Sequence, residues 1–192
     1  TSIFATISLI EDRHQGFLQA VQVAPAGTSA IVVGKTLGGA TLAMGQAMLF
    51  VALSPLAGFP YASIAWGLLV PALLLTSIAL TALGFAVAWG LDSAQGYHAV
   101  MSAVLIPLWI LSGAMFPGPA SGPMAMLLKY NPMSYAATLI RRAFYGGNLP
   151  SGLGVEGSSL VHEMTVVVVS LVGCIALASF VAAKKPSVAS NG

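Results

Sequence analysis

The sequence predicts an all-α protein, a bundle of helices that crosses a membrane several times. Composition is the first reason: of 192 residues, 57% are hydrophobic and 6% charged, at a mean hydropathy of +0.91, whereas a soluble domain usually carries about 25% charge. Run length is the second. The uncharged stretch 164–183, wound as a helix, spans about 30 Å, the thickness of a bilayer's hydrocarbon core. The third is the lack of alternation: outer-membrane strands alternate apolar and polar over roughly ten residues, but "IAWGLLVPALLLTSIALTALGFAVAW" is apolar on every side.

Taken in order, residues 1–10 are apolar but too short to cross. With no initiator Met ahead of them, they are expected to be the stump of a helix whose beginning is missing. Residues 11–30 contain a short amphipathic helix on which Phe17, Leu18 and Val21 share a face, with Glu11, Asp12 and Arg13 at its start and Pro25 and Gly27 after its end. The first full span is 36–53, closed by the breaker cluster 54–60 with Pro55, Gly58 and Pro60. Gly34 and Gly38 form a Gly-x-x-x-Gly pair that lets a second helix approach closely, or reflect only how common glycine is in membrane helices. The second span, 63–91, carries Trp66 and Trp89 near its ends, where indole rings prefer the headgroup level, and Pro71 as a kink or local break. The third is 99–116, closed by Pro117-Gly118-Pro119, and the fourth is 164–183.

Before that last span lies a segment of mixed character, "ASGPMAMLLKYNPMSYAATLIRRAFYGG", too polar to span and too aromatic for a plain loop. It reads as two short amphipathic helices, 124–130 and 134–145, separated by Asn131-Pro132 and closed by Gly146-Gly147. Such a pair dips into the outer leaflet and returns, with Arg141 and Arg142 near the headgroups. Residues 149–159 form a Gly/Ser-rich exposed loop, and 186–192 a disordered tail. With residues 11–35 in the cytosol, helix parity places Arg13, Lys35, Lys184 and Lys185 inside and Lys129, Arg141 and Arg142 outside. That is a narrow margin for the positive-inside rule.

Gly34-Lys35-Thr36 is the tail of a phosphate-binding P-loop, Gly-x-x-x-x-Gly-Lys-Thr, but Ser29 stands where the first glycine belongs. Nor does 36–91 contain any charged residue that could hold magnesium. His162-Glu163 opens a His-Glu-x-x-His zinc motif, yet Val166 occupies the second histidine's place. His14, His98 and His162 lie in three separate segments, and the single Cys174 sits in mid-span, which excludes an intrachain disulfide. An ion-coupled carrier needs carboxylates or histidines inside its spans, and the four runs contain none. That favours a pump for apolar or amphiphilic cargo over the alternatives of a secondary transporter or a membrane scaffold without transport.

"EDRHQGFLQAVQVAPAGTSAIVVGK", followed by "PLWILSGAMFP" and then "NPMSYAATLIRRAFYGG", resembles the membrane subunit of ABC-2 type transporters over nearly the whole chain. The resemblance implies a polytopic bundle of about four full spans plus the end of an earlier one, with a re-entrant helical hairpin before the last span. One transmembrane domain occupies 1–185, including a cytoplasmic coupling helix at 11–30 and the re-entrant helices at 119–147. It implies a transport subunit of the cell (inner) membrane, not itself an enzyme, that dimerises with itself or a related permease. It exports a hydrophobic or amphiphilic substrate such as a drug, a lipid or a lipid-linked glycan. ATP and Mg belong to a separate ABC ATPase subunit, with no cofactor in this chain and no nucleic-acid partner. By the same resemblance Asp12, Arg13, Gly16, Phe17 and Leu18 contact the ATPase, and Lys35 marks the cytoplasmic mouth of a helix. Asn131, Pro132, Tyr135 and Arg141 form the outer gate. The pattern departs at Gly27-Thr28-Ser29, where a basic residue usually follows the cytoplasmic proline.

Overall fold

The computed structural model describes residues 28–91, 93–114, 123–155 and 157–184. The amphipathic helix within 11–30, with Asp12, Arg13, Gly16, Phe17 and Leu18, lies outside the described residues, as does the tail 186–192. Among these residues six α-helices follow one another: α1 (Thr28–Ala52), α2 (Trp66–Trp89), α3 (Ala94–Ile110), α4 (Pro123–Tyr130), α5 (Pro132–Phe144) and α6 (Leu160–Lys184). Among the described residues there is no strand.

Two of these helices are long and apolar enough to cross a membrane, α2 at a mean hydropathy of 2.2 and α6 at 2.7. α1 has the length, 25 residues, but Lys35, Gln46 and its glycines dilute its apolar character. α3 is shorter, with 17 residues. α2 runs unbroken through Pro71, so that proline is neither a terminator nor a gap.

Two boundaries differ from those expected. α1 begins at Thr28, which puts Gly34-Lys35-Thr36 inside a helix and not at its start. α3 begins at Ala94 because Ser93 caps it, its Oγ accepting from the Gly96 N–H at 3.0 Å. The stretch expected to be a polar connection is therefore α3's first turn, and the helix ends at Ile110, before the expected 116.

The chain divides into two compact units. Among the described residues the first comprises 28–43, 77–91, 93–102 and 171–184. It buries Phe85, Tyr97, Met101 and Ala178, and Phe85 stacks on Trp89 at 5.4 Å between ring centroids. The second comprises 44–76, 103–114, 123–155 and 157–170 and contains α4, α5 and the start of α6. Among the described residues its apolar interior includes two clusters. Tyr135, Ala136 and Leu139 of α5 pack with Ala72 of α2, Val155, and Val167 of α6. Ala143 joins Val51, Ile64 and Leu69.

Between α1 and α2 the breaker cluster folds as two short turns, Ser54–Ala57 and Tyr61–Ser63. Gly58 takes the left-handed φ of 87° that a side chain would resist. Phe59 then meets Phe144 and Tyr145 edge-on at 5.5 and 5.4 Å, and the Ala65 N–H donates to the Ala143 carbonyl at 2.8 Å. The entry to α2 is thereby fastened to the end of α5.

Candidate functional site

α5 is organised by its two ends. Asn131 is extended at φ −89°, ψ 113°, and caps the helix, its Oδ1 accepting from the Met133 N–H at 2.9 Å. Pro132 follows in the first turn, where a missing N–H leaves nothing unsatisfied. Arg141 and Arg142 occupy the last turn, where cations meet the negative end of the helix dipole. Gly146 and Gly147, at φ 67° and 96°, then turn the chain away.

From this frame Asn131, Tyr135 and Arg141 reach backbone carbonyls of other elements. Asn131 Nδ2 donates to the Leu108 carbonyl of α3 at 2.7 Å. Tyr135 Oη donates to the Lys129 carbonyl of α4 at 2.9 Å, and its ring meets His162 edge-on at 5.3 Å. Arg141 donates to the carbonyls of Gly113 and Ala114, just past the end of α3, the latter at 2.7 Å, and to Leu153 at 2.8 Å. These are carbonyls that a helix end or a turn leaves without internal partners. Burial pulls the Arg141 guanidinium below the usual arginine range, opposed by the nearby Tyr145, but arginine stays charged in proteins.

Arg142 faces a different partner. Its Nε lies 3.0 Å from Glu163 Oε2 and its Nη2 2.6 Å from Oε1, a bidentate pair at a carboxylate with no solvent exposure. Ser158 Oγ adds a third donor to Glu163 at 2.7 Å. The hydrogen bond to Glu163 raises the Arg142 pKa above the ordinary arginine value against the opposing effect of burial. For Tyr135, burial first and the Glu163 charge second push the phenol pKa up. Arg142 also floors an open depression of about 470 Å³ walled by residues of the loop 149–158.

All four residues expected at the outer gate, Asn131, Pro132, Tyr135 and Arg141, thus lie on α5 or at its cap. Neither arginine is left for headgroups in the way the sequence suggested, since both guanidiniums are engaged by protein acceptors. Glu163 was missed. Read as half of a broken zinc motif, it is instead the partner of Arg142. Its signal was scarcity, because the chain has only five acidic residues and one of them opens the apolar run that follows the segment carrying a pair of arginines. Lys35 lies two turns into α1, beside the buried Thr36, in the unit that does not contain α5.

The sequence pattern of the ABC-2 type transporters matches residues 1–145. The chain belongs to the ABC-2 type transporter family. Among curated proteins and among solved structures, nothing matches it. As an ABC-2 permease it is a transport component, and among the described residues α2 and α6 are the helices long and apolar enough to cross a membrane. The match ends at 145, so it covers α5 but not Glu163.

Proposed function

We propose that this ABC-2 permease is the membrane subunit of an ATP-driven exporter that moves a hydrophobic or amphiphilic substrate out of the cytoplasm. A separate ATPase subunit hydrolyses the ATP. The family match over 1–145 carries the reading. It is supported by the uncharged runs 36–53 and 164–183, which suit apolar cargo better than ions, and by the helical placement of Gly34-Lys35-Thr36, since a P-loop joins a strand to a helix. In this reading α1, α2, α3 and α6 span the inner membrane of a dimer. The segment 119–147 is re-entrant, and α5, with Asn131, Pro132, Tyr135 and Arg141, closes the outer end of the pathway. Asp12, Arg13, Gly16, Phe17 and Leu18 dock on the ATPase, and Lys35 lies toward the cytoplasmic mouth.

Coupling is the part to test. With Phe17 in an apolar socket of the ATPase, Phe17→Ala loses a burial worth roughly 2 to 3 kcal/mol and detaches or uncouples the partner while the membrane fold persists. Co-purification and the ATPase rate of the complex read this out, and unchanged values in both would place docking elsewhere.

A further inference from the structure

We infer that Glu163 is a positioning residue: through Arg142 it makes α5 move with α6, so that the outlet opens along the seam between α5 and the end of α3. The inference rests on the reading of α5 as the outer gate. It comes from comparing what fastens α5 on its two sides.

On the α6 side the fastening is ionic and apolar together. Arg142 and Glu163 form a bidentate pair at a carboxylate with no solvent exposure, and Ser158 Oγ secures the same carboxylate. Beside it Tyr135, Ala136 and Leu139 share one buried cluster with Val167, and Met164 and Val166 pack against it. Pulling α5 from α6 would bare apolar surface and strand a buried charge, both strongly unfavourable.

On the α3 side the fastening is polar and neutral at the acceptor. Asn131 holds the Leu108 carbonyl, and Arg141 holds those of Gly113 and Ala114. Among the described residues, neither of the two apolar clusters that α5 joins includes a residue of α3. Carbonyls at a helix end are readily satisfied by water or another donor, and the Arg141 guanidinium, itself partly buried, keeps the Leu153 carbonyl when it lets go of them. Two adjacent arginines therefore do different work: Arg142 makes the joint that stays, and Arg141 the one that parts.

Spin labels decide between the two seams. In the Cys174→Ala permease with its ATPase in lipid nanodiscs, diluted with unlabelled chain, Met133→Cys on α5 is paired either with Val161→Cys on α6 or with Ile110→Cys on α3. On trapping ATP hydrolysis with vanadate, the 133–110 distance shifts while the 133–161 distribution keeps its position and width. Glu163→Gln broadens the 133–161 distribution in the trapped state, and Glu163→Asp, which keeps the carboxylate, restores it. A shift of 133–161 on trapping overturns the inference and leaves the gate reading standing. If neither distance moves, the gate reading falls and takes the inference with it. The distances in the protein with Glu163 intact decide the matter whether or not Glu163→Gln folds.

Discussion

Arg142 grips Glu163 with two edges of its guanidinium, Nε at 3.0 Å from Oε2 and Nη2 at 2.6 Å from Oε1, where solvent does not reach the carboxylate. A buried pair of this kind contributes little net stability over an apolar replacement, yet breaking it from one side is costly.

The first prediction follows from that asymmetry. Arg142→Met leaves the buried Glu163 carboxyl without its cation and held by Ser158 alone, and destabilises the permease by about 3 to 5 kcal/mol. The double variant Arg142→Met/Glu163→Leu removes both charges and loses less than the sum of the two single changes. Thermal unfolding of the four proteins in detergent gives the comparison; strict additivity would mean that the pair is not coupled.

Tyr135 makes stability pH-dependent on the alkaline side. Burial, and then the Glu163 charge, raise its phenol pKa, so the folded protein holds that proton more tightly than the unfolded chain. The resulting stability is intact below the ordinary tyrosine value of about 10 and is lost as pH rises through the higher folded value. Tyr135→Phe flattens this alkaline loss. At neutral pH it forfeits the hydrogen bond to Lys129, worth about 1 kcal/mol. Unfolding midpoints measured between neutral and alkaline pH that fall equally in both proteins would contradict the assignment.

Gly154 is where the loop 149–158 closes on α5. A Cβ there would lie 2.5 Å from Leu149 Cδ2 and 2.6 Å from Thr138 Cγ2, and Thr138 is buried. Gly154→Ala therefore costs about 1 to 3 kcal/mol through overpacking and weakens the Val155 N–H bond to Thr138 Oγ1. Gly152→Ala meets open space, but its φ of 82° imposes a left-handed strain of about 1 to 2 kcal/mol. The two are separated by hydrogen exchange at α5: Gly154→Ala speeds it, and Gly152→Ala leaves it unchanged.

Much of this was legible in the sequence for local reasons. Asn131-Pro132 and Gly146-Gly147 bracket α5 because capping and chain reversal are decided by residues next to the helix. α2 and α6 announce themselves by apolar length. The start of α3 was misplaced because a helix's first turn is often polar, though Ser93 was a fitting cap. α1 starts earlier than its charge pattern suggests, because a basic residue near a helix mouth does not itself mark the helix boundary. What could not be read was pairing across space. Glu163 finds Arg142 twenty-one residues away, and the acceptors of Arg141 are backbone carbonyls, which have no side-chain signature.

In the proposed function, ATP hydrolysed by a partner moves α5. Ser134 is the position to watch, because it lies on α5, is 1% exposed, and its Oγ has no hydrogen-bond partner among the described residues, so a cysteine there disturbs little. The measurement is the rate at which Ser134→Cys, and separately Ala137→Cys, react with a membrane-impermeant thiol reagent in a Cys174→Ala background with the ATPase bound. The account predicts that trapping hydrolysis with vanadate changes the rate, and that the change disappears when the ATPase is catalytically dead. Equal rates in the resting and trapped states at both positions would contradict it.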